Sequence, residues 1–148
     1  MAQTLSIELA GINSLPVVKP AVPGYGGRVR RYRATVTLAT QAAADTIILA
    51  KLPVGQVFAY GVITSTVSLG GAATVAIGNA TTAGLYRAAA ISTPVETPTL
   101  FGAGAAGLTA SMASATGYTA EEVVLATIAA ASLPGAGTAV FDIYTSQS

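Results

Sequence analysis

The sequence predicts an all-β fold, namely a jelly roll or a related antiparallel β-sandwich of about eight strands. Short runs rich in Val, Ile and Thr recur along most of the chain. Glycine and proline separate these runs, as expected where tight turns join strands. Helical segments of the length that links parallel strands do not alternate with the runs, which disfavours an α/β fold.

Residues 1–27 are predicted to form an extended N-terminal arm, and residues 28–148 the sandwich domain. Pro16, Pro20 and Pro23 oppose both helix formation and strand pairing within the arm. The arm nevertheless carries apolar side chains, which a disordered tail would not need. Docking of the arm, for instance on a neighbouring subunit, and simple fraying of the terminus are both open.

Period-2 alternation of apolar and polar side chains marks the first strand, which begins at about position 28. Its apolar face would carry Tyr32, Ala34, Val36 and Leu38, and its polar face Arg31, Arg33, Thr35 and Thr37. Seven further strands are predicted at 46–51, 56–66, 73–77, 85–91, 96–101, 123–129 and 138–145. The stretch 102–119 is rich in Gly, Ala and Ser and is predicted to be a long loop.

The segment 121–133 has two interpretations. Thr119 and Glu122 have the spacing of a helix capping box, and Pro134 would end such a helix. Against this, Val123, Val124 and further β-branched residues favour a buried strand. A strand is the preferred prediction, with the helix as the alternative.

The composition removes most catalytic classes. The chain has no His, no Cys and only six acidic residues. Ser-His-Asp and Cys-His catalysis and ordinary zinc sites therefore cannot be built. Glu121 and Glu122 are adjacent, so on a strand they would point to opposite faces and are interpreted as solvated charges at its start. We expect no enzyme activity and no bound metal.

Residues 102–107 match the glycine pattern of dinucleotide-binding loops, with Glu121 and Glu122 about 20 residues further on. In that fold, however, the acidic residue follows the next strand, whereas here both precede it. Pro98 also lies in the run before the glycines, where a central parallel strand would exclude it. No cofactor is therefore predicted.

Four of the seven basic residues lie within positions 28 to 33, although the net charge is only +1. So small an excess disfavours capture of nucleic acid or of a membrane surface. Two explanations are open: a solvated edge that resists aggregation, or bidentate pairing with carboxylates of a protein partner. The candidate partner-binding residues are Arg28, Arg30, Arg31, Arg33, Tyr25 and Tyr32.

Only 9% of the residues are charged, which is low for the surface of an isolated domain. We therefore expect copies of the chain to cover part of that surface in a homo-oligomer. No signal peptide is recognisable in residues 1–18, and proline and glycine interrupt every long uncharged stretch. The chain is expected to be made in the cytoplasm.

Several segments resemble small proteins encoded among the structural genes of tailed bacteriophages. They are GGRVRRYRATV at 26–36, DTIILAKLP at 45–53, VAIG at 75–78, GLYRAA at 84–89 and TPTLFG at 97–102, and the likeness extends over about 26–145. The resemblance implies a capsid decoration (cement) protein: a jelly-roll subunit that trimerises, contacts the major capsid protein and sits on the virion exterior. It implies no catalytic residues.

A receptor-binding or fibre-tip β domain is the alternative function, since it would also be a charge-poor trimer. Such a domain should expose an aromatic cluster on which sugars stack. The six tyrosines are scattered along the sequence, which argues mildly against this alternative.

Overall fold

The computed structural model describes residues 28–104, 107–108 and 117–147. Within these residues the regular structure consists of ten β-strands, without a helix. The strands are β1 (Val29–Thr37), β2 (Thr46–Leu52), β3 (Gln56–Ser65), β4 (Thr74–Gly78), β5 (Arg87–Ala90), β6 (Thr99–Phe101), β7 (Ala103–Gly104), β8 (Gly107–Leu108), β9 (Glu122–Ala129) and β10 (Thr138–Gln147).

Eight of these strands form two antiparallel four-stranded sheets. Sheet A has the order β1-β10-β3-β6 and sheet B the order β2-β9-β4-β5, while β7 and β8 pair with each other. The first strand therefore lies beside the last in one sheet, and the second lies beside the last but one in the other. This nesting of chain ends is the jelly-roll arrangement, so the predicted fold class is confirmed.

The core lies between the sheets because alternate side chains of each strand point inward. Phe141 and Ile143 of β10 face Val124 and Ile128 of β9 across this layer, and all four are buried. Burial of side chains of this size stabilises the fold by about 1.5–3 kcal/mol each. Three aromatic rings pack together within this core: Phe58 stacks on Tyr86 at 4.3 Å between centroids and lies 6.3 Å from Phe101.

A β-bulge in β3 reverses the side on which its residues point. Tyr60 pairs with Tyr144 and Phe58 with Thr145, so Ala59 is an extra residue opposite β10. Phe58 is consequently fully buried, whereas Tyr60 is 41% exposed. Without the extra residue the two rings would share one face.

The segment 121–133 contains a strand, as preferred, and not a helix. In β9 the residues Val124, Ala126 and Ile128 are buried while their neighbours are partly exposed, which is a period of two. The predicted long loop at 102–119 is wrong in one part, because β7 and β8 form a short antiparallel pair there. The described part of the glycine motif at 102–107 thus contributes to two paired antiparallel strands, where a dinucleotide site needs a strand followed by a helix.

Candidate protein-binding interface on sheet A

The arginine-rich strand β1 forms one edge of sheet A in the described part of the chain. Its exposure alternates: Arg31, Arg33 and Thr35 are exposed, whereas Tyr32 and Ala34 are half-buried. The arginines at 31 and 33 therefore project from the outer face of the sheet, away from the core. The sheet edge and the alternation together place two cations on one flat surface.

Arg33 is bound to a carboxylate of its own chain. Its Nε donates to Oδ1 of Asp142 at 2.8 Å, and its Nη2 donates to Oδ2 at 2.7 Å. The two residues are directly opposite each other on β1 and β10. The hydrogen bonds from Arg33, together with the positive charges of Arg33 and Arg31, hold the pKa of Asp142 below its usual value. The predicted bidentate geometry is thus present, but its acceptor lies within the subunit.

The remaining arginines differ in how firmly they are held. Arg30 donates to Oε1 of Gln147 at 2.9 Å, and the carbonyl oxygen of Arg28 accepts from the backbone N–H of Gln147. Arg33–Asp142 is the salt bridge found among the described residues. Within the same residues, Arg31 has no carboxylate partner and is exposed.

The two predicted tyrosines do not join this surface. Tyr32 points to the inner side of β1 and packs against the hydrophobic core, half-buried. Its part in the structure is therefore to fill the core at the sheet edge. Tyr25 lies outside the described residues.

The aromatic centre of this face was not predicted from the sequence. The rings of Tyr60 and Tyr144 stack with centroids 4.6 Å apart and planes inclined by 17°. Tyr144 is directly opposite Arg31, so cation and rings form one row across three strands. The period of two in β10 was enough to predict that Asp142 and Tyr144 lie on one face. The position of Tyr60 beside them could not be predicted, because it depends on the bulge in β3 and on the pairing of β3 with β10.

An apolar side chain completes the outer face on the far side. Leu100 of β6 is 72% exposed and lies opposite Val62, which in turn is opposite Asp142. The face therefore runs from a cationic edge through a tyrosine pair to an aliphatic edge. A surface of this composition is suited to contact with another protein through charge and apolar area.

A second polar cluster surrounds Glu122, the first residue of β9. Oε1 of Glu122 accepts from the hydroxyl of Tyr86 at 2.8 Å and from Nδ2 of Asn79 at 2.9 Å. The hydroxyls of Tyr86 and Tyr118 are 2.7 Å apart. Burial raises the pKa of Tyr86, and its hydrogen bonds with Tyr118 and Glu122 raise it further. The interpretation of Glu122 as a solvated charge is thus wrong, whereas Glu121 is exposed as expected.

Two further features are absent from the residues that the structure describes. No group of three acidic side chains there could hold a metal ion. No helix in the same part of the chain is long and apolar enough to cross a membrane.

Comparison of the sequence with known families gives no match. No protein-family model matches the chain, and no curated protein matches it.

Comparison of the structure does give matches, and three of them come from bacteriophage capsids. A chain from the cyanophage Pam1 capsid asymmetric unit has a TM-score of 0.55 and 18% identity, over 84% of this chain and 89% of that one. A chain from the capsid of Ralstonia phage GP4 has a TM-score of 0.61 and 19% identity, over 82% and 86%. A chain from the acid-stable capsid of Helicobacter pylori bacteriophage KHP30 has a TM-score of 0.55 and 14% identity, over 80% and 86%.

These likenesses extend over most of both chains, so the complete sandwich is shared and not a fragment of it. The jelly-roll fold implied by the resemblance to phage structural proteins is therefore confirmed. At identities below 20%, the likeness concerns the fold.

Proposed function

We propose that this chain is a structural protein of a bacteriophage virion, and specifically a decoration protein on the outer surface of the capsid. The observation that carries the proposal is the shared jelly roll, which matches chains of three phage capsid structures over at least 80% of this chain. The absence of His and Cys and the small number of acidic residues agree with a role performed by surfaces.

The proposed role is to strengthen junctions between capsid subunits. Packaged DNA presses outward on a shell, and a protein that spans a junction adds buried area that opposes its opening. We propose a trimer, because a charge-poor sandwich can bury apolar surface between copies. Repetition over the shell lets contacts that are weak singly add up.

The proposed contact with the capsid involves three exposed arginines at the start of β1: Arg28, which directly precedes the strand, and Arg30 and Arg31 within it. Residues 1–27, including Tyr25, are proposed as a second contact with the capsid or with a neighbouring copy. Arg33 and Tyr32 contribute indirectly, the first through its salt bridge with Asp142 and the second through the core.

The direct test uses phage particles made with and without this chain. Particles that carry it should release their DNA at a higher temperature in a thermal-release assay, and the purified chain should restore that temperature when it is added back. The chain alone should sediment as a trimer at micromolar concentration. Equal release temperatures with and without the chain, or a monomer in solution, would contradict the decoration proposal.

The tyrosine pair favours the receptor-binding alternative, because the exposed ring of Tyr60 and the half-buried ring of Tyr144 stack on the outer face, where this function requires aromatic side chains. A receptor-binding domain should bind host cells or their surface glycans, and should lie on the tail or fibres. Host-cell pull-down with the purified chain distinguishes the two functions, since a decoration protein should remain in the supernatant.

A further inference from the structure

We propose that the outer face of sheet A is the docking face, and that its partner is a protein surface with a carboxylate opposite Arg31 and apolar side chains opposite the tyrosine pair and Leu100. This inference rests on the proposed function and assigns the contact to one side of the sandwich. The face consists of Arg31, Arg33, Tyr60, Leu100, Asp142 and Tyr144.

The side chains lie in two parallel rows, fixed by strand register. One row runs Arg31, Tyr144, Tyr60, and the next runs Arg33, Asp142, Val62, Leu100. Neighbouring strands are about 4.8 Å apart, so the four-stranded face is about 15 Å wide. Its rigid backbone presents both rows together to a flat partner.

The positive charge on this face favours a partner surface with a negative charge. Asp142 is the acidic residue of the face, and its charge is compensated by the two hydrogen bonds from Arg33. Arg31 is left as an exposed cation without a carboxylate in the described residues. A guanidinium at the edge of an aromatic surface is well placed to pair with a carboxylate of the incoming protein.

The composition of the face matches the centre of a protein interface. Such centres are enriched in Tyr and Arg and poor in uncompensated acids. Leu100 is 72% exposed, and burying it against an apolar side chain would contribute favourable free energy of binding, whereas contact with a phosphate would not. A nucleic-acid-binding groove carries many cationic side chains along the phosphate backbone, whereas this face carries one uncompensated cation. These features favour a protein partner.

The opposite side of the sandwich provides the matched control. On the outer face of sheet B, Ile48 is 61% exposed and Lys51 is exposed on the same strand. Substituting Ile48 removes an exposed aliphatic side chain, as substituting Leu100 does on the other face. Substituting Lys51 removes an exposed cation, as substituting Arg31 does.

The experiment measures binding of the purified full chain to phage particles that lack it, by co-sedimentation. Three separate variants, namely Arg31→Glu, Leu100→Ala, and Tyr60→Ala combined with Tyr144→Ala, are each expected to weaken binding by about tenfold or more. Lys51→Glu and Ile48→Ala should leave binding unchanged. Circular dichroism and thermal unfolding of each variant verify that it is folded. Equal losses of binding in the sheet A variants and the sheet B variants would overturn the inference.

Photo-crosslinking keeps the test independent of variant stability. A benzoylphenylalanine at position 100 should crosslink to a capsid protein, whereas one at position 48 should not. Crosslinking from 48 alone would overturn the inference while leaving the proposed function intact. Failure of the wild-type chain to bind any particle would overturn the proposed function itself. Crosslinks to DNA, or loss of binding after nuclease treatment, would show a partner of the wrong class.

Discussion

At the scale of single residues, Gly61 shows how a missing side chain shapes the core. It lies on the inner side of β3, opposite Phe101 of β6. A Cβ built at this position would overlap the Phe101 ring, which occupies the space above the glycine. The glycine therefore lets the third ring of the aromatic cluster pack against the sheet.

We predict that Gly61→Ala destabilises the protein by about 1–3 kcal/mol, because Phe101 must leave its position in a close-packed core. Gly71→Ala is the matched control, since nothing lies within 4 Å of a Cβ built there. The free energy of unfolding in urea provides the measurement. Equal effects of the two changes would contradict this account of Gly61.

Asp142 connects stability to pH. Its pKa is held below the ordinary value of about 3.9 by Arg33, so the unfolded chain takes up a proton before the folded chain does. The salt bridge therefore contributes fully above the unfolded pKa. Its contribution is lost as the pH falls through the lower pKa of the folded state.

We predict that Asp142→Asn is less stable than the wild type at pH 7, and that the difference shrinks as the pH is lowered below about 4. Arg33→Gln should remove the same pH-dependent component, because it takes away the cation that lowers the pKa. Urea unfolding over a series of pH values measures both. Parallel profiles for the wild type and Asp142→Asn would argue against the assigned role of the pair.

Single residues were predictable where local alternation determines them. The outward direction of Arg31 and Arg33 follows from period 2 in the sequence. The partner of Arg33 does not, because Asp142 is 109 positions away and its place is set by the pairing of the first strand with the last. The same long-range register brings Tyr60 onto Tyr144, although tyrosines appear scattered along the chain.

At the scale of elements, the Glu122 cluster holds the start of β9 against the connection between β4 and β5. Asn79 lies in that connection and Tyr86 at its end, and both donate to Glu122. The side-chain oxygen of Asn79 also accepts from the backbone N–H groups of Thr81 and Thr82, which shapes the turn. The carboxylate thus joins two strand ends through a tyrosine and a turn.

We predict that Tyr86→Phe destabilises the protein by about 1–3 kcal/mol, because the part-buried carboxylate of Glu122 loses a donor and the hydroxyl of Tyr118 loses a partner. Tyr60→Phe removes a hydroxyl from an exposed ring and serves as the control, with an effect within about 0.5 kcal/mol. Thermal and urea unfolding of the two variants at pH 7 compare them. A loss for Tyr60→Phe as large as for Tyr86→Phe would contradict the role given to the cluster.

Elements were predictable where composition and periodicity agree. The strands β2, β3, β4, β9 and β10 lie close to their predicted positions, because β-branched and other apolar residues are frequent there. The edge strands β5 and β6 are shorter than predicted. Turns that contain no glycine could not be predicted from the sequence. Ala44 and Ala130 adopt φ of 78° and 68°, a left-handed conformation that alanine rarely adopts.

At the scale of the whole molecule, the jelly roll leaves two outer faces of different character. Sheet A presents cations, a tyrosine pair and Leu100, and sheet B presents Ile48 and Lys51 on its edge strand. Composition and strand number predict a sandwich, but strand order depends on contacts between the chain ends. The resemblance to phage structural proteins, and not the periodicity, is what favoured a jelly roll within that class.

The measurement that tests the central claim most directly is electron cryomicroscopy of the phage particles that contain this chain. We predict density for the jelly roll on the outer surface of the capsid, arranged as trimers, with sheet A toward the shell. Density in the interior of the particle, on the tail alone, or nowhere on the virion would contradict the claim.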